Sequence, residues 1–260
     1  MIFGLIILLL WSMMSGAFVF RMTSGKSGWI DAIWSFSIAL NGLIAAWAPF
    51  NWASLNQRQI IIGLLILAAY SRLGLDISLR TYRGGDDPRY IALEKKWGKN
   101  FKIHLYIFLQ IQALCALILS IAIFLAARNP EPITTFKSLL GLIIVIIAII
   151  GEALADKQLR DFKKESTSKK ICNQGLWAVS RHPNYFFEWL NWAGIALLAI
   201  NLNGDWSVGF FALTAPLMMY FLLRYASGVP HVEKHLSSTR PDEFQEYKRK
   251  VNVFFPGFPK

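Results

Sequence analysis

Seven long apolar runs decide what this chain can fold into. They lie near residues 2–20, 29–50, 59–77, 103–127, 138–155, 184–201 and 206–223, and each is almost free of charge. A helix needs about 20 apolar residues to cross the hydrocarbon core of a bilayer. Most of these runs are apolar all round rather than striped, which excludes a water-soluble helical core protein. With 55% hydrophobic and only 17% charged residues, and a mean hydropathy of +0.41, the composition agrees. The expectation is an all-α integral membrane bundle of about seven transmembrane helices, forming a single domain over 1–260. The first run lacks a preceding positive region and a cleavage motif, so it reads as a retained helix rather than a signal peptide.

The basic residues orient the bundle. Of the 27 Lys and Arg residues, 24 fall in one set of alternating connections, and only Arg58, Arg128 and Lys137 fall in the other. By the positive-inside rule the N-terminus is outside and the C-terminus cytoplasmic, an alternation that needs an odd number of spans. The net charge of +11 then sits on the cytoplasmic face, where it suits anionic lipid headgroups or an anionic ligand such as a nucleotide. Nucleic acid is not expected, because the basic residues are juxtamembrane and follow no binding motif. Cys115 and Cys172 offer neither a plausible disulfide nor metal-ligand spacing. No metal and no obligate protein partner is expected. The tail "RPDEFQEYKRKVNVFFPGFPK" either caps the bundle or lies at the membrane interface.

Ionisable residues enter the helices in one pattern. Asp31 sits just inside the second run, Asp76 and Arg80 close the third, and Glu152, Asp156 and Arg160 continue the fifth at i, i+4, i+8. Asn184 and Glu188 open the sixth at i, i+4, and His231 and Glu233 follow the seventh. Spacing of four places each set on one helix face. Under the topology above all of them lie in or just below the inner half of the bilayer, where polar groups are costly unless they pair or face a cavity. A polar cavity open to the cytoplasm accounts for the set; local pairs such as Asp76–Arg80 and Asp156–Arg160 account for single members. In "SRHPNY", Pro183 suits a first helical turn, Ser180 or His182 suits the cap, and Arg181 lies where an anion would meet free N–H groups.

"GLWAVSRHPNYFFEWLNWAG" resembles the C-terminal signature of the steroid 5-alpha-reductase family, a pattern shared with the sterol C14 and C24 reductases. "SGVPHVEKHL", "EYKRKVNVFFPGFP", "DAIWSF" and "LRTYRGGDDPRY" look like an uncharacterised bacterial branch, a domain of unknown function related to those reductases and to isoprenylcysteine methyltransferases. The resemblance covers most of the chain and is strongest over 150–260, which it makes the cofactor-binding signature. It implies a seven-helix membrane reductase that uses NADPH to reduce the C=C bond of an enone or a sterol. On that resemblance Asn184 and Glu188 hold the nicotinamide end, and Asp156, Arg160, Lys163 and Lys170 surround the adenine, ribose and phosphates. Arg80 and His231 match further cofactor positions, and Arg181 and His182 join them from the helix start.

The chain departs from that family where steroid reductases carry a Gln-Glu pair on the second helix and a Tyr on the third. Here the second helix offers Asp31, taken as proton donor, and the third has Ile77 at the aligned position with Tyr70 deeper. The Gly that usually precedes the matched Glu is Phe187. The expected catalytic residues are thus Asp31, Glu188 and Tyr70, and the expected substrate is steroid-like or another lipid. Two alternatives stand beside this: an S-adenosylmethionine-dependent methyltransferase of the isoprenylcysteine carboxyl type, whose family also carries Arg-His-Pro-x-Tyr before a late helix, and a non-catalytic lipid or sterol binder on the same fold. The compact length and short loops point to a bacterial inner membrane.

Overall fold

The computed structural model describes residues 2–48, 54–84, 86–165 and 170–258. Residues 49–50 of the second run, Gly85 of the "LRTYRGGDDPRY" motif, and residues 166–169 of the basic connection lie outside the described residues. The described chain is helical throughout, with no strand among those residues. Its helices are α1 (Ile2–Ser24), α2 (Gly28–Trp47), α3 (Gln57–Arg83), α4 (Pro88–Trp97), α5 (Phe101–Arg128), α6 (Phe136–Glu165), α7 (Pro183–Ala199), α8 (Thr214–Phe221), α9 (Val229–Thr239) and α10 (Pro241–Lys250).

Among the described residues six segments are long and apolar enough to cross a membrane: α1, α2, α3, Pro88–Arg128, α6 and Ser207–Thr239. The run at 184–201 forms α7, whose 17 residues extend about 26 Å at 1.5 Å per residue, shorter than a typical hydrocarbon core. The run at 206–223 is not one α-helix. It begins as a 3-10 helix over Ser207–Leu213, continues as α8, and passes through a π-helical turn at Leu222–Ala226.

The chain packs as two compact units, Met1–Ser138 with Ala196–Thr214, and Leu139–Ile195 with Ala215–Lys260. In the first unit α2 lies along α3, and small residues let the two approach. A Cβ on Gly74 would stand 2.9 Å from the Phe36 ring, and one on Gly63 would stand 2.1 Å from Trp47 Nε1. Close approach at glycine replaces the hydrophobic drive that lipid cannot supply. Asn56 starts α3 with a capping box, its side chain accepting from Gln59 N at 2.9 Å while Gln59 Oε1 accepts from Asn56 N at 3.0 Å. Lys26 closes the other end, donating to the carbonyls of Thr81, Tyr82 and Gly84 at 3.0–3.2 Å. A cation on the last carbonyls of a helix also meets the negative end of its dipole.

Three cations knot the loops of the first unit to its helix ends. Arg58, 4% exposed, donates to Leu198 O at 2.9 Å, Glu131 O at 2.7 Å and Ser138 Oγ at 2.7 Å. Arg128 donates to Ala45 O and Ala48 O at 2.6 Å and lies over the Phe124 ring. Lys137 pairs with Glu131 at 2.5 Å and donates to Ile200 O. These are the three basic residues that the sequence sets apart from the other 24.

In the second unit α6 and α7 also meet at glycine. A Cβ on Gly151 would fall 2.4 Å from the Phe187 ring, and one on Gly194 would fall 2.7 Å from Val145. The large residue that departs from the reductase pattern is thus housed in a gap on the neighbouring helix. The tail folds back onto the start of α7. Ser180 Oγ donates to Phe254 O at 2.8 Å, Arg181 N to Asn252 O at 2.8 Å, and Gly257 N to Val179 O at 3.0 Å. Tyr247 Oη donates to Trp177 O at 2.5 Å, and Trp177 Nε1 to Ala155 O at 3.0 Å. Phe186, Trp189, Tyr220, Phe254 and Phe255 form one aromatic cluster beneath these bonds. Within this unit the tail covers the start of α7.

Candidate functional site

The expected site residues divide between the units. Asp31, Tyr70 and Arg80 belong to the first, and Asp156, Arg160, Lys163, Lys170, Arg181, His182, Asn184, Glu188 and His231 to the second. In the first unit Asp87 caps α4, accepting from Arg89 N at 2.9 Å, with Pro88 at the first helical position. That cap presents Arg89 and Tyr90 to α2. Arg89 Nη2 and Tyr90 Oη, the latter at 3.0 Å, both donate to the Asp31 carboxylate. Arg89 also pairs with Asp87 at 2.8 Å. Burial works to raise the Asp87 carboxyl, but its bonds and attraction to Arg89 outweigh it and hold the group below the usual carboxylate range. Asp31 in this geometry accepts two hydrogen bonds, one from the guanidinium and one from the phenol. The sequence carries no local signal that Arg89 and Tyr90 reach Asp31, since the pairs lie 58 and 59 positions apart.

Tyr70 is 1% exposed within α3, and Arg80 lies exposed in the last turn of that helix. Asp76 pairs with Arg72, one turn before it, at 3.4 Å, where the sequence suggested Arg80.

The second unit concentrates the remaining residues on two helices and a loop. α6 runs three turns beyond its apolar stretch, so Asp156 is half-buried while Arg160 and Lys163 stand exposed. Asn184, on the first turn of α7, donates through Nδ2 to Asp156 Oδ1 at 3.3 Å. One turn deeper Glu188 is 8% exposed, and its Oε1 accepts from Trp192 Nε1 at 3.2 Å. Asp156, Asn184 and Glu188 thus form a polar strip on facing helices, with cations at its wet end. Lys170 is exposed on the loop that returns from α6.

Arg181 and His182, expected at the cofactor, meet α9 and the tail. Arg181 pairs with Glu233 through Nε and Nη2, both at 2.8 Å, and donates to Val251 O at 2.7 Å. His182 is 3% exposed, stacks on Tyr185 and approaches Glu233 Oε1 at 3.3 Å. Burial pushes its imidazole below the ordinary value near 6.5, against the pull of Glu233. Together the two side chains join α9 and the tail to the start of α7, just before Asn184. Of the two candidate caps, Ser180 accepts from His182 N at 3.2 Å. His231 lies half-buried in the first turn of α9, two residues before Glu233.

The chemistry of this donor set can be matched to a dinucleotide phosphate. Phosphate oxygens require cations, which Arg160, Lys163 and Lys170 supply at the exposed end. A carboxamide requires both an acceptor and a donor, which Glu188 and Asn184 supply at the buried end. The residues present fit such a group.

Among known proteins, no curated protein and no solved structure matches this chain. One family model, described as protein of unknown function (DUF1295), matches residues 17–251 and so spans both units. The chain therefore belongs to the DUF1295 family.

Proposed function

We propose that this protein is a membrane-embedded, NADPH-dependent reductase acting on the activated C=C bond of a steroid-like or other lipid substrate. The observation that carries the reading is the α6–α7 strip: Asn184 bonded to Asp156 at 3.3 Å, Glu188 buried one turn deeper, and Arg160 and Lys163 exposed on the same helix as Asp156. The motif resemblance of "SRHPNYFFEW" supports it independently. Bound NADPH would supply a hydride to the carbon β to a carbonyl, its two electrons reducing the alkene while a proton completes the saturated product. The chain's own residues do the rest. Arg160, Lys163 and Lys170 neutralise the phosphates, and Asp156 orients Asn184. Trp192 holds Glu188 in place, and the apolar flanks of α7 exclude water from the reacting end. In this reading α7 is the seventh crossing, the N-terminus is outside, and the site opens to the cytoplasm of a bacterium from its inner membrane. The asymmetry of basic residues supports that orientation.

The test is thermal stability of the detergent-purified protein with NADPH, NADH or S-adenosylmethionine, since a ligand that binds only the folded state raises its melting temperature. Stabilisation by NADPH that is weakened in Arg160→Glu and in Glu188→Gln is the expected outcome. Stabilisation by S-adenosylmethionine alone would replace the reductase with a methyltransferase.

A further inference from the structure

Among the described residues four asparagines are buried: Asn41, Asn129, Asn191 and Asn201. Asn129 donates to Leu198 O and Ile200 O and accepts from Glu131 N. Asn201 donates to Asn129 and accepts from Asn203 N. Asn41 donates to Ser37 O. Asn191 differs from all three. It is 3% exposed, and neither its Oδ1 nor its Nδ2 has a hydrogen-bond partner. Leaving a buried polar group unsatisfied is destabilising, the more so where no water can reach it.

The position of Asn191 gives the orphaned amide a direction. Asn184, Glu188 and Asn191 stand at i, i+4 and i+7 on α7, which keeps all three within about 60° of arc. Asn191 lies about 4.5 Å beyond Glu188 along the axis, by helical rise. It thus extends the polar strip by one step into the apolar middle of the helix, between Leu190 and Trp192. A ligand group reaching that depth is mostly apolar and carries a single polar atom.

We propose that Asn191 donates its Nδ2–H to the carbonyl oxygen of an apolar, carbonyl-bearing substrate. The inference rests on the reductase reading, in which Glu188 holds the nicotinamide end and the substrate lies next along the strip. A donor fixed there stabilises negative charge on that oxygen when a hydride arrives at the conjugated carbon. The unpaired amide of the ligand-free protein is the cost of keeping the donor ready.

The experiment compares wild type, Asn191→Leu and Asn191→Ala in detergent, measuring melting temperature alone, with NADPH, and with NADPH plus either a 3-keto-4-ene steroid or an alkyl-substituted cyclohexenone. Asn191→Leu is expected to melt at or above wild type without ligand, because it removes an unpaired amide and keeps the branched outline of the side chain. It should keep its response to NADPH, and the affinity for the enone probe should fall about tenfold, as one lost hydrogen bond of about 1.4 kcal/mol requires. A ligand-free Asn191→Leu and Asn191→Ala that both melt well below wild type by more than their volume change explains would make the amide structural and overturn the proposal. So would a wild type that NADPH stabilises but neither enone does, and that result leaves the cofactor reading standing. A wild type indifferent to NADPH overturns the reductase reading and this inference with it.

Discussion

Two groups of cations that the sequence places in different connections also differ in their surroundings. Arg58, Arg128 and Lys137 of the first unit are drawn into helix ends, where backbone carbonyls take up their hydrogens. Arg160, Lys163 and Lys170 of the second unit stand exposed along one helix and its following loop. The first group contributes to stability because carbonyls that terminate helices in an apolar setting have few other donors. The second contributes little to stability, since exposed charges are well solvated. The two groups differ in exposure: one is drawn in against helix-end carbonyls, the other stands at the surface.

That contrast can be broken in several ways. The largest effect is expected from Arg58→Met, which removes the donor to the Glu131 carbonyl and the Ser138 hydroxyl and leaves Leu198 O to Asn129. A loss of about 3–5 kcal/mol is expected from removing one member of a buried charged network, read as a lower melting temperature or loss of the folded fraction. Next comes Gly151→Val, whose added carbons meet the Phe187 ring 2.4 Å from a Cβ. Overpacking of this kind costs about 1–3 kcal/mol, and the double variant with Phe187→Ala should recover most of it, whereas simple additivity would break the claim that the two residues share one gap.

A smaller effect concerns acid. The His182 imidazole is held below its ordinary value near 6.5 by burial, among Glu233, Arg181 and Arg224. The unfolded chain therefore takes up the proton first, so this contribution to stability is present above about pH 6.5 and is lost as the pH falls through the lower folded value. His182→Gln should flatten that part of the melting-temperature profile; an unchanged slope would remove His182 as its source. The smallest change in stability, within about 0.5 kcal/mol, is expected for Arg160→Ala with Lys163→Ala. If that pair melted as low as Arg58→Met, the division between the two groups of cations would collapse.

The apolar runs made most of the architecture legible, because lipid imposes length and composition directly. They hid what extends past the lipid. α6 ends at Glu165 and not near 155, since its last three turns are polar, and those turns carry Asp156, Arg160 and Lys163. α4, α9 and α10 are too short and polar to register in such a scan, yet they supply Arg89, Tyr90 and Glu233. The Asn184–Asp156 contact follows from helical spacing on two adjacent helices, so its residues were readable one by one. Asn191 escaped notice inside "WLNWAG", where apolar neighbours mask it. The available signal was its place three residues beyond Glu188, on a face already marked by Asn184.

The stitching of the tail to the start of α7 has a kinetic corollary. Ser180 and Phe254 are 74 positions apart, and Arg181 and Val251 are 70. Pairings that distant form late, after the loop between them has given up its freedom. While α8, α9 and α10 are being made, Arg181 and His182 wait without Glu233 or the Val251 carbonyl, and the polar turn that positions Asn184 stays open. A chain in that condition is exposed to chaperones and proteases. The second unit is therefore most vulnerable during the interval before residues 251–257 return to it, and slow synthesis of α8–α10 should lower the yield of protein more than slow synthesis of α1–α3.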